Sequence, residues 1–365
     1  MSLARRCLAS MALALCLAAP AAADTITVTD AEGRMVEVPE NPQRILLGFY
    51  FEDFFAVGGP DAYDRVVGIS RDAWEGWRNL QWQAYVAARP EIADITDVGE
   101  VDSGTFSLEA ALSTRPDVAV LAAWQYDALG DGATRLEDAG VPVVVLDYNA
   151  QTVEKHVAST LALGAILGQP DRAQALADQY AAAVADVESR VAAMTERPKV
   201  YVELGRKGPG EVDNSYGDVM WGRLVEMAGG TNIAKGQIAK WGPLSPEYVL
   251  AQNPDIVFLA GSGWATRAEA VLMGPGVDAG ITHERMVPYT GRAGWEGLAA
   301  VEDGAVHAIY HGGARTLYDF AFLQYLAKAM HPEAFADVDP QANLDAFFET
   351  YMPIRFDGTY MTRMP

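Results

Sequence analysis

One motif occurs twice in this chain and constrains its fold more than any other feature. The pattern S-x-E-x-x-L-x-x-x-P-D-[VI]-x-x-L fits residues 107–121 and residues 245–259 without a gap. Each copy predicts a short helix, a stop at the proline and then a buried apolar strand. A chance likeness between two amphipathic segments explains this shared spacing less well than duplication does. We therefore predict a duplicated α/β lobe, and two such lobes imply a cleft between them.

The N-terminus has the pattern of an export signal. Arg5 and Arg6 are followed by an apolar stretch at residues 7–19 and by three alanines that end at Ala23. This order predicts a signal peptide at residues 1–23, cleaved after Ala23. The apolar stretch is too short to span a bilayer. We expect a protein that is exported to the periplasm and is not inserted in a membrane.

Both cysteines of the chain, Cys7 and Cys16, lie within this signal. Leu15 occupies the position before Cys16 at which a lipoprotein signal needs a small residue, so lipid anchoring is not expected. The mature chain would contain neither a thiol nor a disulfide, which suits a periplasmic protein. It would also lack the ligands of a cysteine-bound zinc or iron–sulfur site.

The chain is strongly acidic, with a formal net charge of -22 at pH 7. Cleavage of the signal removes two arginines and no acidic residue, which takes the formal charge to -24. Such a surface disfavours nucleic acids and anionic membranes as partners. Solubility alone would also explain so acidic a composition.

The mature length, roughly 340 residues, is too large for one compact core and fits two lobes with a connector. Short apolar runs alternate with helical segments such as 52–57 and 108–112, which is typical of parallel sheets. The predicted strands are 45–47, 66–69, 118–121 and 143–146 in a first lobe at 24–168, and 200–204, 256–259 and 306–310 in a second lobe at 198–365. We expect the C-terminal helices of the second lobe to pack back onto the protein.

A long amphipathic helix is predicted between the lobes, at residues 169–197. Pro170 and the acid after it favour a helix start, apolar residues recur at spacings of three and four from Leu176 to Met194, and Pro198 ends the run. About 25 residues at 1.5 Å each give a rod of roughly 37 Å. Such a rod is long enough to join both lobes as one stiff backbone that limits hinge motion.

Further motifs in the mature chain resemble those of a known family. They are the entry segment 26–34 with Pro39 and 42–45, then 56–59, 228–233, and 297–301 before Gly304. Together with the duplicated motif, they resemble the periplasmic binding proteins of ABC importers for ferric siderophores, heme and cobalamin, over nearly the whole mature chain. The resemblance implies two Rossmann-like lobes with parallel sheets, a single backbone helix as in class III binding proteins, and a ligand in the cleft.

Ligands of parallel α/β sheets bind at the loops that follow the carboxyl ends of the strands. In this chain those segments are rich in aromatic residues and arginine, which suit a flat or aromatic anionic ligand through stacking and charge-assisted hydrogen bonds. The candidate ligand-binding residues are Tyr50, Arg71, Trp74, Trp124, Tyr126, Arg206, Tyr216, Trp264, Arg292, Trp295, His311 and Arg315. For a single tryptophan the alternative is ordinary packing, and for a single arginine it is a surface or interlobe ion pair.

Other kinds of site are weakly supported. His307 and His311 are four apart, but His307 lies in a predicted strand, so the two would not share a helix face. A bare-metal site is therefore not expected, although His311 or a tyrosine could contact chelated iron. The segment 205–210 is glycine-rich without the spacing of a phosphate loop, and no catalytic motif is found. We expect neither enzyme activity nor a cofactor.

The resemblance also implies a docking role for Glu109 and Glu247, which occupy the same position in the two copies of the motif. In the family, glutamates at this position contact arginines of the permease dimer. The alternative is stabilisation of a helix start, since an acid in the first turn contributes about 0.3–1 kcal/mol.

From the resemblance we expect a monomeric periplasmic solute-binding protein that captures a metal chelate, first of all a ferric siderophore, and delivers it to an ABC importer. Heme, cobalamin and an oxyanion such as molybdate are alternative cargoes. A secreted enzyme or a metallochaperone on the same bilobal fold is the alternative of another class.

Overall fold

The computed structural model describes residues 24–264, 267–355 and 357–365, so the predicted signal peptide lies outside the described residues. The helices are α1 Phe51–Gly58, α2 Asn79–Ala88, α3 Leu108–Ser113, α4 Ala123–Leu129, α5 Asp131–Asp138, α6 Val153–Leu167, α7 Pro170–Val191, α8 Met220–Met227, α9 Pro246–Gln252, α10 Ala279–Thr290, α11 Ala299–Glu302, α12 Asp319–Met330 and α13 Pro340–Tyr351. The strands are β1 Thr25–Thr29, β2 Met35–Pro39, β3 Ile45–Leu47, β4 Val66–Ile69, β5 Thr96–Asp97, β6 Val118–Ala122, β7 Val143–Leu146, β8 Lys199–Leu204, β9 Asn214–Tyr216, β10 Thr231–Asn232, β11 Trp241–Pro243, β12 Ile256–Gly261, β13 Gly274–Pro275, β14 Val306–Tyr310, β15 Gly358–Thr359 and β16 Met361–Arg363.

Two five-stranded sheets form the centres of two lobes and confirm the predicted α/β fold. The first sheet has the order β5-β4-β3-β6-β7, and all of its strand pairs are parallel. The second has the order β10-β8-β12-β14-β16, in which β16 pairs antiparallel with β14. Strands β6 and β12 are buried along their whole length. Continuous burial is typical of central strands in sheets that helices cover on both faces.

The duplicated motif starts a helix in the same way in both lobes. The hydroxyl of Ser107 accepts a hydrogen bond from the backbone N–H of Ala110, and the hydroxyl of Ser245 accepts one from Tyr248, both at 3.1 Å. A serine in this position satisfies one of the N–H groups that a helix start leaves unpaired. The serine of the motif is therefore explained by helix capping.

The aspartate of the motif fastens each copy to the neighbouring strand. Asp117 accepts the backbone N–H of Arg44 at 2.9 Å, and Asp255 accepts that of Lys199 at 2.7 Å. Arg44 precedes β3 and Lys199 opens β8, and these strands lie beside β6 and β12. The two copies thus occupy equivalent places in the two sheets, as duplication predicts.

Helix α7 contacts both lobes. It packs against α1 and α6 on one side and against α8 and α12 on the other, and α13 in turn packs against α12 and α1. Its buried residues include the predicted series from Leu176 to Val191. The helix ends at Val191, whereas the apolar spacing had extended it beyond Met194. Met194 instead lies in a non-helical link, where its backbone N–H donates to the carbonyl of Val191 at 3.0 Å.

One seam between the lobes joins the start of α2 to the end of β12. The hydroxyl of Ser262 donates to the carbonyl of Trp77 at 3.1 Å, and the N–H of Leu80 donates to the carbonyl of Gly263 at 3.4 Å. A Cβ atom at Gly263 would lie 2.7 Å from the Cβ of Leu80. Glycine is required here because the two lobes approach each other too closely for a side chain.

A second seam joins α1 and the end of the first lobe to the segment that precedes α12. The N–H of Leu317 donates to the carboxylate of Asp53 at 2.6 Å, and the side chain of Gln151 donates to the carbonyl of Ala314. These groups are buried, and buried polar groups are costly unless they are hydrogen-bonded. The seam therefore fixes the position of the segment that contains Arg315 relative to the first lobe.

No helix within residues 24–264, 267–355 or 357–365 has both the length and the apolar character needed to cross a bilayer.

Candidate ligand-binding cleft

A cavity of ≈ 390 Å³ lies where the two lobes meet. It is lined by Gly76, Trp77, Arg78, Asp102, Ser103, Trp124 and Asn149 from the first lobe and by Leu204, Arg206, Asn214, Tyr216, Met220, Trp241, Trp264, Arg267, His311 and Arg315 from the second. Its volume falls within the usual range of small-molecule sites. Because both lobes supply its wall, a molecule that fills the cavity would touch both.

Aromatic rings form much of this wall. The ring centroids of Trp77 and Trp124 are 6.4 Å apart, and the ring of Phe49 packs on the two at 6.4 and 5.3 Å. The indole N–H groups of Trp124 and Trp264 are buried and have no hydrogen-bond partner in the described part of the chain. The cleft therefore offers flat apolar surfaces, and two indole donors lie buried in its wall without a partner in the described chain.

Two buried arginines, one from each lobe, contact the same phenyl ring. The guanidinium carbons of Arg78 and Arg315 lie 5.1 and 5.0 Å from the ring centroid of Phe49, and the two residues are 3% and 8% exposed. The Nε and Nη2 groups of Arg78 and the Nε group of Arg315 have no hydrogen-bond partner among the described residues. Burial, and then the charge of Arg78, lower the pKa of Arg315 from 12.5 to about 9, which leaves it protonated at neutral pH.

A third arginine and a histidine also lie in the polar wall on the second lobe. Arg206 forms a bidentate pair with the buried Asp213, with both distances at 3.1 Å. The Nδ1 atom of His311 lies 3.2 Å from the hydroxyl of Tyr216. Burial and the neighbouring arginines lower the pKa of His311 well below its usual value of 6.5, so its imidazole is neutral at neutral pH.

An acid also lies at the edge of the cavity. Burial raises the pKa of Asp102, and the charge of Arg315 opposes this shift. The hydroxyl of Ser103, also in the wall, donates to Asp72 at 2.8 Å. In the described residues no group of three or more His, Cys, Asp or Glu side chains is arranged to hold a metal ion. The arginines outnumber the acid here, so the cavity is locally positive in an acidic protein.

Local structure positions the first-lobe side chains. Trp77 and Arg78 follow a π-helical turn, Asp72–Gly76, and such turns are frequent at functional sites. Trp124 lies in the first turn of α4. The side chain of the next residue, Gln125, accepts the backbone N–H of Ala122 at the end of β6 at 3.2 Å and donates to the carbonyl of Gly48 after β3 at 3.2 Å. The aromatic wall is thus attached directly to the carboxyl ends of β3, β4 and β6.

Three of the five non-glycine residues with positive φ in the described part of the chain lie beside the cleft. Tyr50, Gln151 and Met220 have φ angles of 57, 55 and 50°, in the left-handed region that residues with side chains rarely adopt. The hydroxyl of Tyr50 donates to the side chain of Asn149 at 2.9 Å, and the N–H of Met220 donates to the carbonyl of the same asparagine at 3.3 Å. Such conformations cost about 1–3 kcal/mol each and are found mainly at ligand sites.

The structure brings half of the predicted ligand-binding residues to the cavity. These are Trp124, Arg206, Tyr216, Trp264, His311 and Arg315. Tyr50 lies one layer behind and supports Asn149. Trp124 lies on helix α4 and not in a loop, because the chain enters this helix directly after the end of β6.

Three predicted first-lobe residues lie outside the cavity. Arg71 donates to the carbonyl of Ala93 at 2.8 Å, and Trp74 is fully buried and stacks on Phe51 at 4.7 Å. The ring centroid of Tyr126 lies 4.4 Å from the guanidinium carbon of Arg34, and the Tyr126 hydroxyl accepts a hydrogen bond from the same guanidinium. Each side chain has a partner within its own lobe, which holds it away from the cleft.

Two predicted second-lobe residues also lie outside the cavity. Arg292 is paired with the buried Glu203, at 2.6 and 2.9 Å. Trp295 is 4% exposed and packs at 6.3 Å, edge to face, on Tyr201. The ordinary packing and the ion pair considered as alternatives explain these two residues.

Sequence reasoning missed the residues that replace them, above all Trp77 and Arg78. The segment after β4 contains two tryptophans and two arginines, and loop position alone gave no reason to prefer Trp77 and Arg78 over Trp74 and Arg71. The adjacent Gly76 lines the cavity, but a Cβ atom there would collide with the carboxylate of Asp72, so this glycine indicates a tight turn and not a ligand contact.

Glu109 and Glu247 are exposed and lie in the first turns of α3 and α9. They therefore project from equivalent points of the two lobes.

The comparisons with known proteins agree with this architecture. The model of the periplasmic binding protein family matches residues 46–283, which is more than half of the chain. The chain belongs to this family. It is similar to the TroA-like periplasmic binding protein FepB from Veillonella parvula, with 32% sequence identity and a TM-score of 0.87 over 93% of this chain and 100% of that chain.

Two more distant relatives cover almost the same length. The molybdate-binding protein MolA from Haemophilus influenzae is 24% identical over 91% of this chain and 92% of its own. The ABC transporter substrate-binding lipoprotein YvrC from Bacillus subtilis is 20% identical over 86% of this chain and 87% of its own. The protein is thus a periplasmic substrate-binding protein of an ABC transporter, and its relatives are transport proteins rather than enzymes.

Proposed function

We propose that this periplasmic binding protein captures an anionic metal chelate with aromatic groups, first of all a ferric siderophore. The observation that carries the proposal is the pair Arg78 and Arg315, one from each lobe, with buried N–H groups that lack partners among the described residues. A buried charged group without hydrogen bonds is strongly unfavourable. Carboxylate or catecholate oxygens of a ligand would supply both the missing acceptors and the missing negative charge.

The size and lining of the cleft favour a chelate over a bare oxyanion. Four oxygens at about 30 Å³ each, the share of a water molecule, would occupy roughly a third of the ≈ 390 Å³ cavity. The tryptophans of the wall present flat apolar faces that a small inorganic anion would leave uncovered. Molybdate is nevertheless a second candidate, because MolA is similar over most of the chain and the arginines suit any anion. Heme and cobalamin remain further alternatives.

Titration of the purified protein with a panel of probes tests this proposal. The panel comprises a ferric tris-catecholate, ferric citrate, heme, cyanocobalamin and molybdate, and the readout is tryptophan fluorescence. We expect saturable quenching at one site by an anionic ferric chelate, since Trp77, Trp124 and Trp264 surround the cavity. Arg78→Gln should weaken this binding by about 1.5–3 kcal/mol, the contribution of a hydrogen bond to a charged group. Wild-type affinity in Arg78→Gln, with an unchanged exposed control such as Arg135→Gln, would remove the arginine pair from the site.

We also propose that Glu109 and Glu247 dock the loaded protein on the permease. Both glutamates are exposed and lie in the first turn of a helix. Each of these helices is capped by a serine, and the strands that follow them occupy equivalent places in the two lobes. A permease dimer with two-fold symmetry would meet equivalent charges at both of its halves. The alternative is that each glutamate only stabilises its helix start.

Transport and binding measured on the same variants separate these two roles. Replacing Glu109 and Glu247 together by alanine should abolish uptake in cells while chelate affinity and unfolding midpoint stay close to wild type. Glu333→Ala with Glu349→Ala removes two exposed acids elsewhere and serves as the charge-matched control. If the motif double variant transports like the control, the docking role is wrong and the helix-start role is sufficient.

A further inference from the structure

Arg292 lies behind the cleft wall and binds one strand and one loop at the same time. Its guanidinium forms a bidentate pair with Glu203 of β8, at 2.6 and 2.9 Å. It also donates to the carbonyls of Gly208, Pro209 and Glu211, at 3.3, 2.8 and 2.8 Å. The rings of Tyr289 and Trp295 lie against the guanidinium, with centroids 4.4 and 4.9 Å from its carbon. One side chain thus holds three carbonyl groups of the loop between β8 and β9.

The same loop ends at the acid that orients a cleft arginine. The backbone N–H of Asp213 donates to Glu203 at 3.2 Å, and the Asp213 carboxylate holds Arg206 through two bonds of 3.1 Å. Glu203 and Asp213 are 0% and 1% exposed. Arg206 lines the cavity, whereas Arg292 does not. A continuous series of charged hydrogen bonds therefore runs from Arg292 through Glu203 and Asp213 to the ligand side of the wall.

We propose that Arg292 is a positioning residue for ligand recognition: it holds loop 205–213 in the conformation that presents Arg206 to the cleft. The loop contains glycines at 205, 208 and 210, so it has many conformations to lose. A planar guanidinium can bind a carboxylate and several carbonyls together, and a lysine ammonium in its place cannot reach all of them. The inference rests on the proposed function for its affinity measurement but not for its measurement of loop order.

Hydrogen–deuterium exchange of the free protein tests the positioning step without any ligand. Arg292→Lys keeps a positive charge beside Glu203 and so preserves folding, but it cannot replace the bonds to the loop. We expect the amide of Asp213, whose N–H donates to Glu203, to exchange about tenfold faster or more, the scale for loss of a charged hydrogen bond, while β8 and β12 stay protected. Arg285→Lys, on helix α10 and outside the cleft, is the matched control. Unchanged exchange of the Asp213 amide would overturn the proposal, as would an equal loss of protection throughout the lobe.

A double-mutant cycle then tests whether the loop matters for binding. With a ferric tris-catecholate as the probe, Arg206→Gln and Arg292→Lys should each weaken affinity about tenfold or more, and the double variant should be no weaker than Arg206→Gln alone. Additive losses would mean that Arg292 acts independently of Arg206 and would refute the proposal. If the probe does not bind the wild type, the proposed ligand is wrong, and the exchange result alone decides the role of Arg292.

Discussion

Replacing Arg315 by methionine should change stability and ligand affinity in opposite directions. Arg78 and Arg315 both lie within 5.1 Å of the Phe49 ring centroid, so their guanidinium carbons are at most about 10 Å apart. At an effective dielectric constant of about 20, two like charges at about 10 Å repel by about 2 kcal/mol. Methionine keeps the length of the side chain, removes the charge, and loses a cation–π contact that contributes about 0.5–1 kcal/mol. The free energy of unfolding of the free protein should therefore rise by about 1 kcal/mol.

The same substitution should weaken an anionic chelate, because one of its two buried charged partners is gone. We expect affinity to fall by about 1.5–3 kcal/mol, or roughly 10- to 150-fold. Urea unfolding of the free protein and quenching of tryptophan fluorescence by a ferric tris-catecholate measure the two effects on one sample. Arg135→Met on the exposed face of α5 is the control for loss of a surface charge.

The opposite signs make the reasoning refutable. If Arg315→Met destabilises the free protein by more than about 1 kcal/mol, Arg315 is a structural residue whose contacts exceed the repulsion. If affinity is unchanged while stability rises, the charge pair is strained but does not bind the ligand.

Three further predictions concern stability. Burial raises the pKa of Glu100 from 4.5 to about 7, so the folded state retains a proton that the unfolded state releases. The free energy of unfolding should therefore fall by up to about 3 kcal/mol as pH rises from 4.5 to 7. Glu100→Gln should remove this pH dependence in urea unfolding, and a pH dependence equal to that of the wild type would contradict the prediction. Burial, and then the charge of Arg363, lower the pKa of His307 from 6.5 to about 4. The contribution of neutral His307 to the free energy of unfolding should therefore be lost as pH falls from 6.5 to 4. His307→Gln should flatten the acid side of the plot of stability against pH. Gly263→Ala should lower the free energy of unfolding by about 1–3 kcal/mol through overpacking against Leu80, and it should weaken ligand binding by separating the lobes. Adding Leu80→Ala should restore part of both. Stability equal to that of the wild type would mean that the contact between the lobes accommodates the extra methyl group without loss of stability.

Much of the fold was predictable because it depends on local periodicity. The apolar runs that form β3, β4, β7 and β14 were predicted with the bounds that the structure shows, and β6, β8 and β12 differ by one or two residues at an end. Burial on both faces of a parallel sheet makes such strands mostly apolar, with Glu203 in β8 and His307 in β14 as exceptions, and this pattern is visible without any tertiary information. The end of α7 was predicted too late because Met194 continues the apolar spacing although the helix has stopped.

The cleft was harder to predict because the environment of each side chain depends on residues far away in the sequence. Arg292 and Arg315 both follow secondary structure of the second lobe in the sequence. Arg292 pairs with Glu203, whereas Arg315 packs against Phe49 and its Nε group has no hydrogen-bond partner among the described residues. Sequence position cannot distinguish them, because Glu203 is 89 residues away from Arg292. Trp74 and Trp77 are separated in the same way by the π-helical turn, which rotates one ring into the core and the other into the cavity wall.

The sequence by itself determined the two duplicated α/β lobes, the helix between them and the loops from which a site would be built, since caps, apolar spacing and proline stops act over a few residues. The tertiary structure decided which arginines remain without a carboxylate partner and which aromatic rings face the space between the lobes. The physical reason is that an ion pair or a stacked ring forms wherever a partner comes within reach after folding. In the proposed site, the N–H groups of Arg78 are among the polar groups that folding buries and leaves without a partner in the described chain.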